Sequence, residues 1–97
     1  MLQHRYDMIR NRLNAALKPT ALELEDESHL HAGHAGAEGG RGHYRLRIVS
    51  AQFAGLRPIA RHQLVYRSLG ELMQTDIHAL SIVAHTPEEM RTQGNDR

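Results

Sequence analysis

Histidine is the chemically distinctive residue of this sequence. Eight of its 97 residues are histidine and none is cysteine. A neutral imidazole is the commonest protein ligand for transition metals, and it titrates near neutral pH. Three of the eight fall within Ser28-His29-Leu30-His31-Ala32-Gly33-His34-Ala35-Gly36. A His-x-His-x-x-His array among glycines can wrap a metal at little backbone cost. The same composition also makes a solvated polar loop, and the His-Glu-x-x-His of a zinc helix is missing. Without thiols, a disulfide framework, a thiolate nucleophile and a metal site built on the chain's own sulfur are all excluded. His78 heads a separate apolar run and shares strand parity with Leu80 and Ile82. A packed histidine at the edge of the core and an edge ligand both fit that position. His62, beside Arg61 on an apolar helical stripe, reads as a structural histidine.

Arginine is the second unusual feature, with eleven of the twelve basic residues. Arg57, Arg61 and Arg67 surround a turn and a helix, and a guanidinium suits phosphate, so they are the candidate nucleic-acid contacts. Arg45 and Arg47 are expected to face Glu23 and Glu25 as cross-strand pairs. Aromatic residues for base stacking are scarce: Tyr6, Tyr44, Phe53 and Tyr66 only. No Gly-x-Ser-x-Gly elbow or phosphate loop occurs, and the acidic Glu25-Asp26-Glu27 is a single strand end, so no enzyme is expected. The net charge of +1 favours no class of partner. No apolar run approaches the roughly 20 residues needed to cross a bilayer, and Met1 to Arg10 has no secretion core. A cytoplasmic protein without membrane contact is expected.

The elements that must position these groups form one domain over 1–97. Leu2, Tyr6, Ile9, Leu13 and Leu17 recur at helical spacing over 2–17, and Pro19 ends that helix. Leu22 and Leu24 alternate with Glu23 and Glu25 as a half-buried strand. Residues 27–42 hold five of the eight glycines and no periodicity, which predicts a long flexible Gly/His-rich loop. A second strand covers 43–50, with Tyr44, Leu46 and Ile48 on one side. A turn around Gly55 leads to Pro58, which opens a helix running to near Gln74. The run 78–85 is more continuously apolar and is expected to be the more buried strand. Thr86-Pro87-Glu88-Glu89 has the pattern of a capping box and opens a short helix that frays into a disordered tail, 92–97.

The order helix-strand-strand-helix-strand-helix implies an α+β fold, a three-stranded sheet with helices on one face. Strands one and two, joined by a loop, should be antiparallel. Strands two and three, joined by a helix, should be parallel with a right-handed crossover. His78 would then start strand three at the same end of the sheet as the loop. His31, His34 and His43 would join it at that edge.

Three blocks in this order resemble the BolA-like proteins. The strongest is Phe53-x-Gly55 followed by Arg61-His62-x-x-Val65-Tyr66. The others are Ile77-His78-Ala79-Leu80 with Thr86-Pro87-Glu88-Glu89, and Leu24-Glu25-Asp26-Glu27-Ser28 with His31. The resemblance implies a class II KH-like fold and function by partnership rather than catalysis. It implies a heterodimer with a monothiol glutaredoxin and a shared [2Fe–2S] cluster, to which the glutaredoxin adds a cysteine and a bound glutathione. On this side the resemblance implies His78 and a loop histidine, His31 or His34, as ligands. It also implies an alternative, since some members are DNA-binding transcriptional regulators of stress and morphology.

Overall fold

The computed structural model describes residues 2–27 and 42–95. Helix α1 (Leu2–Leu17) leads to strand β1 (Ala21–Asp26), and strand β2 spans Gly42–Val49. A single 3-10 turn (Ala51–Phe53) precedes helix α2 (Pro58–Leu69) and the short α3 (Leu72–Thr75). Strand β3 (Ile77–His85) and helix α4 (Pro87–Asn95) complete the chain. The sheet order is β1-β2-β3, antiparallel between the first pair and parallel between the second. That is the α+β topology read from the sequence.

The core follows from two periodicities. Helix α1 buries Ile9, Leu13 and Leu17 at three- and four-residue spacing, while β2 buries every second residue, Tyr44, Leu46 and Ile48. Leu24 of β1, with Val65 and Leu69 of α2, completes the contact. The opposite sheet face is open to water. It pairs Glu23 with Arg47 and Glu25 with Arg45 in register, and the Arg45 guanidinium reaches the Glu27 carboxylate at 3.3 Å.

Two expectations are corrected. Strand β3 is not the most buried strand: it is an edge strand, in which only Ile77 is fully buried. Its apolar continuity comes from Ala79 and Val83, which stand exposed beside Ser81. The central β2 takes the buried place because it is paired on both sides. The second helix also does not run unbroken to Gln74. It stops at Leu69, because Gly70 adopts φ +57° and ψ −128° while its N–H caps the Tyr66 carbonyl at 2.9 Å. A side chain resists that backbone conformation, so the break is tied to glycine.

Local signals at two other points, the turn at Gly55 and the capping box at Thr86, match the structure, and a buried contact at Ser50 adds to them. Phe53 is fully buried, and the Leu56 N–H donates to its carbonyl across Ala54 (φ −61°, ψ 133°) and Gly55 (φ 79°). This is a type II turn, which needs a positive φ at its third residue, and it accounts for the Phe-x-Gly spacing. The Ser50 hydroxyl, fully buried, donates to the Leu17 carbonyl at 2.7 Å and accepts from the Gln52 N–H at 3.1 Å, joining the end of α1 to the end of β2. At α4, the Thr86 hydroxyl accepts from the Glu89 N–H and the Glu89 carboxylate accepts from the Thr86 N–H. The capping box is formed, and its helix runs to Asn95 rather than breaking at Thr92. Loop residues 28–41 and tail residues 96–97 lie outside the described residues.

Ser50→Ala leaves a buried carbonyl and an N–H without partners and should cost about 1–3 kcal/mol. Gly70→Ala forces a side chain into a conformation that costs about 1–3 kcal/mol. Thermal denaturation of the two variants checks both, with each kcal/mol lowering Tm by about 4–8 °C in a domain of this size.

Candidate metal centre

Backbone hydrogen bonds bring the end of β1, the start of β2 and the start of β3 together at one end of the sheet. The Glu27 N–H donates to the His43 carbonyl at 2.7 Å, and the Gly42 N–H donates to the Asp76 carbonyl at 2.9 Å. Both ends of the Gly/His-rich segment therefore emerge at this end of the sheet, Gly42 beside the start of β3 and Glu27 one strand further away, beside His43. The placement of His78 at the loop's end of the sheet, expected from strand order, is what the structure shows.

The β2–β3 ladder slips at this point. Gly42 pairs with Ile77 and His43 with Ala79, so His78 is the extra residue of a β-bulge. Ile77 is buried and His78 is exposed. Strand parity would have set His78 with Leu80 on the core face, but the slip interrupts that parity. The His78 ring instead meets the ring of His43, with centroids 4.9 Å apart and planes tilted by 44°. Of the two readings open for His78, the packed core histidine is therefore set aside by its exposure.

A polar layer supports this end. The Arg5 guanidinium of α1 lies 3.4 Å from the carboxylate of Asp76, the residue before Ile77 and His78. The Tyr44 hydroxyl is buried, and its pKa is raised, first by that burial and then by the Asp26 carboxylate. His31 and His34, the loop ligands expected from sequence, lie outside the described residues, as does His29. Among the described residues no three His, Asp or Glu side chains converge as a metal site. His43 was placed at this edge by strand order, but its contact with His78 was not foreseen. Only the bulge creates it, and a one-residue slip leaves no mark on hydropathy.

The candidate phosphate contacts divide differently. Arg57 and Arg67 are exposed. Arg61 is engaged along its whole guanidinium. Its Nε donates to the Leu56 carbonyl at 2.8 Å, and one terminal nitrogen donates to the Ala84 carbonyl at 3.1 Å. Both terminal nitrogens bind the Glu89 carboxylate at 2.8 Å. Arg61 thus ties the turn, the end of β3 and α4 together, roughly 20 Å along the strand from His78 at about 3.3 Å per residue.

Comparison with known proteins agrees with this fold. The family model for BolA-like protein matches residues 13–89. The chain belongs to the BolA-like family. The chloroplastic protein BOLA1 of Arabidopsis thaliana is 43% identical over 91 residues, covering 91% of this chain and 57% of that protein. The DNA-binding transcriptional regulator BolA of Haemophilus influenzae is 38% identical over 86 residues, covering 89% of this chain and 81% of that protein. The solved BolA domain of SufE1 from Arabidopsis thaliana matches with a TM-score of 0.76 at 44% identity, covering 88% of this chain and 94% of that one. This BolA-like chain therefore spans little more than half the length of its chloroplast relative. Among the described residues no helix is long and apolar enough to cross a membrane.

The Arg61–Glu89 contact has a pH signature. Hydrogen bonds from the Arg61 guanidinium, and then from the Thr86 N–H, lower the Glu89 carboxyl from 4.5 to about 2. A depressed carboxyl stabilises the fold fully above its unfolded value and loses that contribution as pH falls through its folded value. The stability difference between the natural chain and Glu89→Gln should be constant above about pH 5. It should then shrink between 4.5 and about 2. Denaturant titration at a series of pH values measures it.

Proposed function

We propose that this BolA-like domain is a non-enzymatic partner of a monothiol glutaredoxin and co-ligates a shared [2Fe–2S] cluster through histidine, in cluster trafficking, maturation or iron sensing. The observation that carries the proposal is the position of His78. It is set at a bulge, at the end of the sheet where the segment that holds His31 and His34 begins and ends. The donor chemistry fits, because the chain offers imidazole at this edge and has no thiol of its own. In this reading the glutaredoxin supplies a cysteine and a bound glutathione thiol.

When bound, a cluster with imidazole in place of thiolate carries less negative charge and has a higher reduction potential. The chain's own task is to hold neutral imidazoles at an accessible rim. The bulge sets His78, and the hydrogen bond between Gly42 and Asp76 fixes the strand end that carries it. Imidazole binds metal only when deprotonated, so loading should weaken in acid.

The test is co-purification with a monothiol glutaredoxin and visible absorption of the complex. His78→Ala should bleach or shift that absorption, and single removal of His31 or His34 identifies the loop ligand. An unchanged spectrum for His78→Ala would end the ligand assignment.

A second reading, a DNA-binding regulator, is favoured by the name of the Haemophilus relative and by the exposure of Arg57 and Arg67. It requires affinity that falls steeply with salt, because phosphate contacts release counterions. Arg57→Ala and Arg67→Ala should each reduce that salt slope by about 1. Arg61→Ala should act on stability instead. No DNA binding at low salt dismisses this reading.

A further inference from the structure

Strand β3 ends the sheet, so among the described residues no strand pairs with its outer side. The backbone groups of successive strand residues point to opposite sides in turn. The His85 carbonyl accepts the Ser50 N–H, at the end of β2, whereas the Ala84 carbonyl accepts the Arg61 guanidinium at 3.1 Å. By that alternation the N–H and C=O groups of Leu80 and Ile82 face outward with those of Ala84. Edge strands are commonly blunted by charge, proline or a bulge. Here the bulge at His78 closes one end of the edge and Arg61 closes the other. Between them, Ala79-Leu80-Ser81-Ile82-Val83 carries no charge, no proline and no glycine. Ala79, Ser81 and Val83 are exposed, and the helical layer leaves Leu80 and Ile82 only half-buried.

This window is complementary to itself. Turned about a two-fold axis at Ser81, Leu80 meets Ile82, Ala79 meets Val83 and Ser81 meets Ser81. Apolar residues then face apolar ones, and the one polar position faces its own hydroxyl. From this symmetry we infer that the outer edge of β3 docks a second copy of this chain, paired antiparallel over residues 79–83. Leu80 of each copy exchanges N–H and C=O with Ile82 of the other. The contact is isologous, so it closes at two copies. A charged strand would find no counter-charge in this window, whereas the same neutral strand fits it. The contact is also short, so the dimer is weak and depends on concentration. It needs no histidine and no metal, and it goes beyond the proposed function.

The experiment is sedimentation equilibrium of the full chain from micromolar to millimolar concentration, with a chelator present. The natural chain should pass from monomer to dimer. Ala79→Glu combined with Val83→Glu sets like charges directly opposite in both symmetric pairs and should weaken the dimer about 10-fold. Ala79→Lys combined with Val83→Lys should do the same. Ala79→Glu combined with Val83→Lys sets opposite charges there and should restore it. Within one copy the two positions lie about 13 Å apart along the strand, too far to pair with each other. Amide exchange of the natural chain reads the same edge without substitution: protection at Leu80 and Ile82 should rise with concentration. A monomer at every concentration, a dimer indifferent to these charges, or edge amides whose exchange does not slow would each overturn the inference. Protection of those amides only when a glutaredoxin is added would give the edge to that partner and overturn it as well.

Discussion

The parallel pairing of β2 with β3 is the constraint on which the rest depends. Parallel strands cannot be joined by a tight turn, so the chain must leave the far end of β2, cross as α2 and α3, and return to the end where β2 began. His43 and His78, 35 positions apart in sequence, come to the same end of the sheet for that reason. An antiparallel β3 would have sent His78 to the opposite end of the sheet. The same return path brings Asp76 against Gly42, and their hydrogen bond closes the end of the sheet from which the Gly/His-rich segment departs.

The family signature divides into two physical jobs at opposite ends of the fold. Phe53 and Gly55 shape a type II turn, and Arg61 binds that turn to β3 and α4 through two carbonyls and the Glu89 carboxylate. Every atom in that set is spent on holding elements together. At the other end, the bulge turns His78 out while Ile77 stays in the core, and the exposed ring costs the fold little. Motif residues of similar apparent weight in the sequence therefore do different structural work: one group makes the frame and the other stands exposed at the sheet edge.

Element type and order were legible because they rest on periodicity. The three- and four-residue spacing of Ile9, Leu13 and Leu17, the alternation of Tyr44, Leu46 and Ile48, and the capping box at Thr86 each carry a local cause. What was not legible depended on tertiary context. The burial of β3 was overestimated because Ala79 and Val83 are apolar yet sit on an edge strand with one face open to water. The break at Gly70 was hidden because the apolar stripe resumes at Leu72. Arg61 reads as a free cation in sequence, and only the fold reveals that Glu89, 28 residues on, occupies its guanidinium. The His43–His78 contact depends on a one-residue slip between strands that meet only after a long crossover.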